Sequence, residues 1–292
     1  PKYLTIMKKV FFWAAMAAMV SCSDNVTEEK PVGEKLPINI STTLSRVTDY
    51  AFEAGDKVGV FVVNEPNALA ASGNHVDNMG FTYSGKWSPD AEIYWLDKST
   101  KADFYCYYPY AETVNTAAHA FATKADQSVL ANYKASEFLW GKTAGAAPTD
   151  EAVGITVNHV FSNVLVILKA GNGFTEETFA AATKSVRICN VKTGATIDLS
   201  TGIATADGAA TSVIPYNEGD YYRALIVPQT VAEGALVQAT VDGTVYTLSR
   251  GFTFRANTQH KFTVTVNKVS GGVNIGIGGW DVDEEDYGGS AE

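Results

Sequence analysis

Leu36-Pro-Ile-Asn-Ile-Ser-Thr-Thr-Leu-Ser-Arg46 is the stretch on which the fold turns. Leu36, Ile38, Ile40, Thr42 and Leu44 fall on every second residue, with Pro37, Asn39, Ser41, Thr43 and Ser45 between them. Successive side chains of a strand point to opposite faces, so this period of two predicts a strand with one buried face and one wet face. No run of charges interrupts it until Arg46.

The same texture continues downstream. Val58, Val60 and Val62 alternate after a Gly55-Asp56 turn, and Phe104, Cys106 and Tyr108 share one face before Pro109. Val153 to Phe161 alternates again, and 163–170 is a nearly continuous apolar run. Ser84-Gly85 and Asp242-Gly243 are hairpin turns by composition. Thr175, followed by Glu176 and Glu177, has the look of a helix N-cap with acidic residues in the first turn. Residues 111–136 are Ala-rich without sustained period and read as a long loop with a helical turn. The 292 residues include 25 Gly, 14 Tyr and 14 Phe, which favours strands over helices.

These observations predict an all-β protein of two antiparallel, Greek-key β-sandwich domains with short helical insertions. Thr143 to Glu151 has linker composition and places the boundary there, giving domains at 36–150 and 151–292. Phe52-Glu-Ala-Gly-Asp56 and Tyr216-Asn-Glu-Gly-Asp220 echo each other ahead of a strand in each half.

Upstream of Leu36 the chain reads as a leader, with translation expected to start at Met7. Lys8-Lys9 supply a positive region and Val10 to Val20 an apolar one. As a helix that apolar run rises only about 16 Å, too short to span a bilayer, so residues 1–22 are expected to be a signal peptide. Val20-Ser21-Cys22 resembles a bacterial lipobox, in which the cysteine is acylated and becomes the mature N-terminus. Residues 23–35 form a polar linker too poor in apolar side chains to fold alone. With Cys22 lipidated, Cys106 and Cys189 remain, each expected as a small buried hydrophobe.

Chemistry is excluded more readily than it is found. The four histidines, His75, His119, His159 and His260, are isolated, and no paired-cysteine or His-Glu-x-x-His metal spacing occurs. A nucleophile elbow and a phosphate-binding glycine loop are missing too. No catalytic residue, metal or cofactor is therefore assigned, and the chain reads as a non-enzyme. The formal net charge of −10 argues against nucleic acid as a partner. Asp281 to Asp286 lacks the loop glycine and spaced ligands of a calcium site. Trp87 and Trp95 are candidate glycan contacts, against the plainer expectation that a β-protein buries such rings.

Several stretches taken together carry a resemblance. They are the lipobox-like Cys22, Arg46 followed by Ala51 to Phe61, Tyr107-Tyr-Pro-Tyr110, Asn158 to Val164, Ala224-Leu-Ile-Val-Pro-Gln229, Phe254 to Val266 and Val273 to Trp280. In this order they resemble the fimbrillin-like proteins of Bacteroidales, the subunits of type V pili. That resemblance implies two transthyretin-like sandwich domains and export to the outer membrane as a lipoprotein acylated at Cys22. It also implies cleavage after Arg46 by an arginine-specific protease. The strand from Leu36 to Arg46 would then be removable, with Leu36, Ile38, Ile40 and Leu44 as its inward face. The expected partners are other pilus subunits by strand exchange, the protease, outer-membrane lipid, and ligands on host or bacterial surfaces. Emptying such a slot would bare about 300–500 Å², or roughly 8–12 kcal/mol of apolar burial. The alternative is a non-polymerising surface lipoprotein that binds glycans.

Overall fold

The computed structural model describes residues 35–44, 51–268 and 289–291. The leader, Cys22, Arg46, residues 273–280 and the acidic run at 281–286 lie outside the described residues. The described chain is all-β with two short helices.

One sheet runs, in spatial order, β1 (Asn39–Leu44), β8 (Ala152–His159), β7 (Leu139–Ala146), β5 (Ala102–Tyr108), β2 (Lys57–Asn64), β3 (Val76–Tyr83) and β4 (Trp87–Pro89). A second is ordered β11 (Ile203–Val213), β10 (Lys184–Asp198), β15 (Ala235–Val241) and β16 (Thr244–Ser249), with β6 (His119–Ala122) also on β10. The third is β12 (Tyr216–Asn217), β13 (Tyr222–Ile226), β9 (Ser162–Ala170), β18 (Thr258–Val266) and β19 (Gly289–Ala291). A small pair joins β14 (Gln229–Val231) to β17 (Phe252–Phe254). The helices are α1 (Leu130–Lys134) and α2 (Glu176–Ala181), the latter opened by a Thr175–Thr178 capping box.

The apolar pattern explains the layering. Val58, Val60 and Val62 of β2 enter a core with Phe81, Phe104, Cys106 and Leu139. Phe61 and Val63, on the opposite face, join Tyr105, Tyr107, Phe138 and Phe161 against Ala195 and Ile197 of β10. Both faces of β2 are thus covered, which is why Val58 to Val63 reads as an almost unbroken apolar run. Gly59 completes the fit, since a β-carbon there would lie 2.1 Å from the Tyr107 ring. The second and third sheets enclose their own core, including Val164, Val166, Ile188, Leu236, Phe262 and Val264.

Two stretches sit differently from their sequence reading. Residues 143–151, with linker composition, belong to the β7–β8 hairpin, and β8 lies in the first sheet. The chain changes sheet at Val160 to Ser162, between β8 and β9, instead of near residue 150. The segment 111–136 is tied down at two points along its course. Its strand β6 pairs with Gly194 to Ile197, and Gln127 N donates to Ile214 O at 2.8 Å. The Gln127 side chain then mimics a strand, its Nε2 donating to Leu225 O and its Oε1 accepting from Leu225 N, each at 2.9 Å. Strand pieces of four residues are too short to show a period, so the sequence gives no sign of this clamp.

Candidate functional site

The strand β1 occupies a slot with three walls. Its first wall is β8, with which it runs parallel, Asn39 opposite Ala152 through Leu44 opposite Val157. A second wall is the segment around Ile93 to Trp95. Ile38 N donates to Ile93 O and Trp95 N donates to Leu36 O, both at 2.9 Å. Trp87 of β4 supplies the third, its Nε1 donating to Thr42 Oγ1 at 3.0 Å. The first sheet therefore curls until its two end strands, β1 and β4, face one another across this hydrogen bond. Last in the sheet order, β1 still has neighbours along both edges.

Burial along the strand follows the alternation. Ile38 and Ile40 are 2% and 5% exposed, Leu36, Thr42 and Leu44 are half-buried, and Pro37, Asn39, Ser41 and Thr43 face outward. The two isoleucines share the first core with Val153, Ile155 and Val157 of β8, Ile40 lying opposite Val153. Each contributes about 1.5–3 kcal/mol by leaving water, so the pair gives roughly 3–6 kcal/mol. Leu36 and Leu44 pack against the same core but are only partly buried, so they add less than the isoleucines.

The walls are themselves held in place. Trp95 Nε1 donates to Thr149 O at 3.1 Å, tying the second wall to the turn before β8. His75 Nε2 lies 2.7 Å from Tyr94 O. Phe52 and Tyr83 each pack 5.0 Å from the Trp87 ring, centroid to centroid. Trp87 and Trp95 are 9% and 5% exposed, so their faces are covered and a sugar could not stack on them. Their aromatic character is visible in the sequence; that they line the slot beside β1 is not.

The remaining candidates for chemistry are structural. Cys106 and Cys189 are both buried and free, and burial pushes the Cys106 thiol up to about 12, far from a reactive thiolate. Burial also raises the Cys189 thiol. His119 is packed between Tyr107 and Phe138 and held below its usual pKa by burial. His260 Nε2 accepts from Arg255 N at 2.9 Å. His159 Nδ1 meets Glu137 Oε2 at 3.0 Å beside the sheet change. Among the described residues no group of three or more His, Cys, Asp or Glu could hold a metal ion, and no helix is long and apolar enough to cross a membrane.

Against known proteins, the fimbrillin-like family model matches residues 45–280. A candidate fimbrium subunit of Bacteroides uniformis, Fim1C, is 25% identical over 296 residues, covering 94% of this chain and 96% of its own length. Among solved structures, a candidate cell adhesion protein from Bacteroides uniformis has a TM-score of 0.64 at 22% identity, spanning 80% of this chain and 94% of that one. Another from Bacteroides ovatus gives 0.63 at 18% identity, spanning 77% and 90%. At these identities the structural likeness speaks for the fold alone.

Proposed function

The chain belongs to the fimbrillin-like family, and from that membership we propose that it is a non-enzymatic structural subunit or tip adhesin of a type V cell-surface fimbria. In this reading Cys22 carries the lipid that anchors the precursor to the outer membrane. An arginine-specific protease cuts after Arg46, β1 leaves, and a strand from a neighbouring subunit takes its place. The two halves of the chain then act as two sandwich domains, and the neighbours in the filament are the main partners.

One observation carries this reading: β1 is a self-contained occupant of a slot that the rest of the first sheet builds without it. Its pairing partner β8 is joined to β7, and the other walls come from residues 87–95. The family match begins at Ser45, immediately after β1. Arg46 stands two residues beyond the last paired position, Leu44. An emptied slot would present apolar surface and unpaired backbone, both satisfied by an incoming strand. Such pairing is head-to-tail and propagates. Glycan binding through Trp87 and Trp95 loses the two residues on which it leaned, since both rings are covered.

The test uses soluble precursor beginning at Ser23. An arginine-specific protease is expected to release the peptide ending at Arg46 and to start oligomerisation, and Arg46→Ala is expected to block both. Folded protein that resists cleavage at Arg46, or that stays monomeric after losing the peptide, would sink the proposal.

A further inference from the structure

We infer that the β1 slot selects its occupant by a side-chain hydrogen-bond acceptor at the position of Thr42, read by Trp87, as well as by apolar shape; this rests on the strand-replacement reading above. The occupant is a partner of stated chemistry: an extended segment parallel to β8, with aliphatic side chains where Ile38, Ile40 and Leu44 now lie and a hydroxyl between the last two. β1 itself displays that pattern in place.

Three observations carry the argument. Trp87 Nε1 reaches Thr42 Oγ1 at 3.0 Å, making a cross-seam link between the first sheet's end strands. Trp87 is 9% exposed, and its ring packs against the Phe52–Tyr83 pair, 5.0 Å from each, which favours the orientation that aims the donor at β1. The other inward positions of β1 are all aliphatic and join the apolar core, Ile40 opposite Val153 and Leu44 opposite Val157, so they are discriminated by size alone. An indole N–H has no acceptor capacity and needs a partner when buried. An occupant with valine at this position matches threonine in shape but strands the donor, whereas serine keeps the acceptor. The bond is partly buried, and leaving such a donor unmade costs more than an exposed contact gains, so discrimination falls on this one position. Backbone pairing along β8 and the second wall supplies affinity without regard to sequence.

The experiment has two arms. In the intact precursor, hydrogen exchange at the amides of residues 39–44 is compared for the wild type, Thr42→Ser and Thr42→Val. The valine variant is expected to exchange about tenfold faster and the serine variant within about threefold of wild type, following the usual penalty for an unmade buried hydrogen bond. In the second arm, precursor cleaved after Arg46 is offered synthetic peptides spanning residues 36–46 with Thr, Ser or Val at position 42. The valine peptide is expected to bind about tenfold more weakly than the other two, and Trp87→Phe in the protein is expected to erase that difference. Should Trp87→Phe not fold, the serine-against-valine comparison on the wild type decides the matter. If the valine peptide binds as well as threonine, the acceptor rule is overturned and strand replacement stands. If no peptide enters at all, strand replacement fails, and the rule falls as a selector of partners, even where the intact protein shows the tenfold effect.

Discussion

Replacing Ile40 by alanine probes the docking of β1 most directly. Ile40 is 5% exposed and packed into the first core, so truncation removes buried methylenes and leaves a cavity costing about 2–5 kcal/mol. A detachable strand shows this loss first in its own opening, before the sheet as a whole unfolds. Hydrogen exchange at residues 39–44 is therefore the measurement, with a denaturation midpoint as the control. At about 1.4 kcal/mol per decade, the lower bound corresponds to roughly 30-fold faster exchange. Ser41→Ala, on the outward face of the same strand, is expected to change stability by less than about 0.5 kcal/mol. The reasoning is refuted if Ser41→Ala matches Ile40→Ala. It is equally refuted if Ile40→Ala leaves exchange unchanged, since β1 would then not be docked by its alternating face.

Two further outcomes follow from buried contacts. For His159, burial is the strongest single influence and lowers its pKa, but the hydrogen bond and charge of Glu137 together carry it above the ordinary value. A raised folded pKa stabilises fully below the unfolded value of about 6.5 and loses that contribution as pH rises through the folded one. The midpoint of unfolding should therefore fall across that window in the wild type more than in Glu137→Gln; a steeper fall in the variant would reject the pair. Gly59→Ala forces a β-carbon into the buried Tyr107 ring and is expected to destabilise by about 1–3 kcal/mol in chemical denaturation; a neutral result would show that the ring can yield.

What the sequence reveals here is local. The alternation of Ile38, Ile40 and Leu44 marks both the strand and its inward face, and the structure orders their burial in that way. Asp242-Gly243 reads as a turn because both residues must take positive φ, and they do, at 46° and 83°. Thr175 opens α2 as its hydroxyl chemistry suggests. Pairing is not local. Nothing in Ala152 to His159 says that it lies beside β1, or that the two run parallel, because a period of two is the same in either direction. The stretch 143–151, which is the end of β7 and the turn to β8, looks like a linker because hairpin turns and linkers draw on the same Gly, Pro and Asp residues. Trp87 was visible as an aromatic residue, but its pairing with Thr42 spans 45 positions and appears only once the sheet curls.

The parallel register of β1 on β8 also decides how the strand answers to force. With the His159 end of β8 held, a pull on Lys35 directed along β1 loads the six residue pairs from Asn39–Ala152 to Leu44–Val157 in shear together. None can part until all have slipped, and the contacts of Leu36 and Ile38 with the Ile93–Trp95 segment resist in the same direction. With the same end of β8 held, a pull on Leu44 away from β8 peels the pairs one after another. The lifetime of β1 under load, a kinetic quantity, thus depends on which of its ends is pulled: it is firm from Lys35 and weak from Leu44.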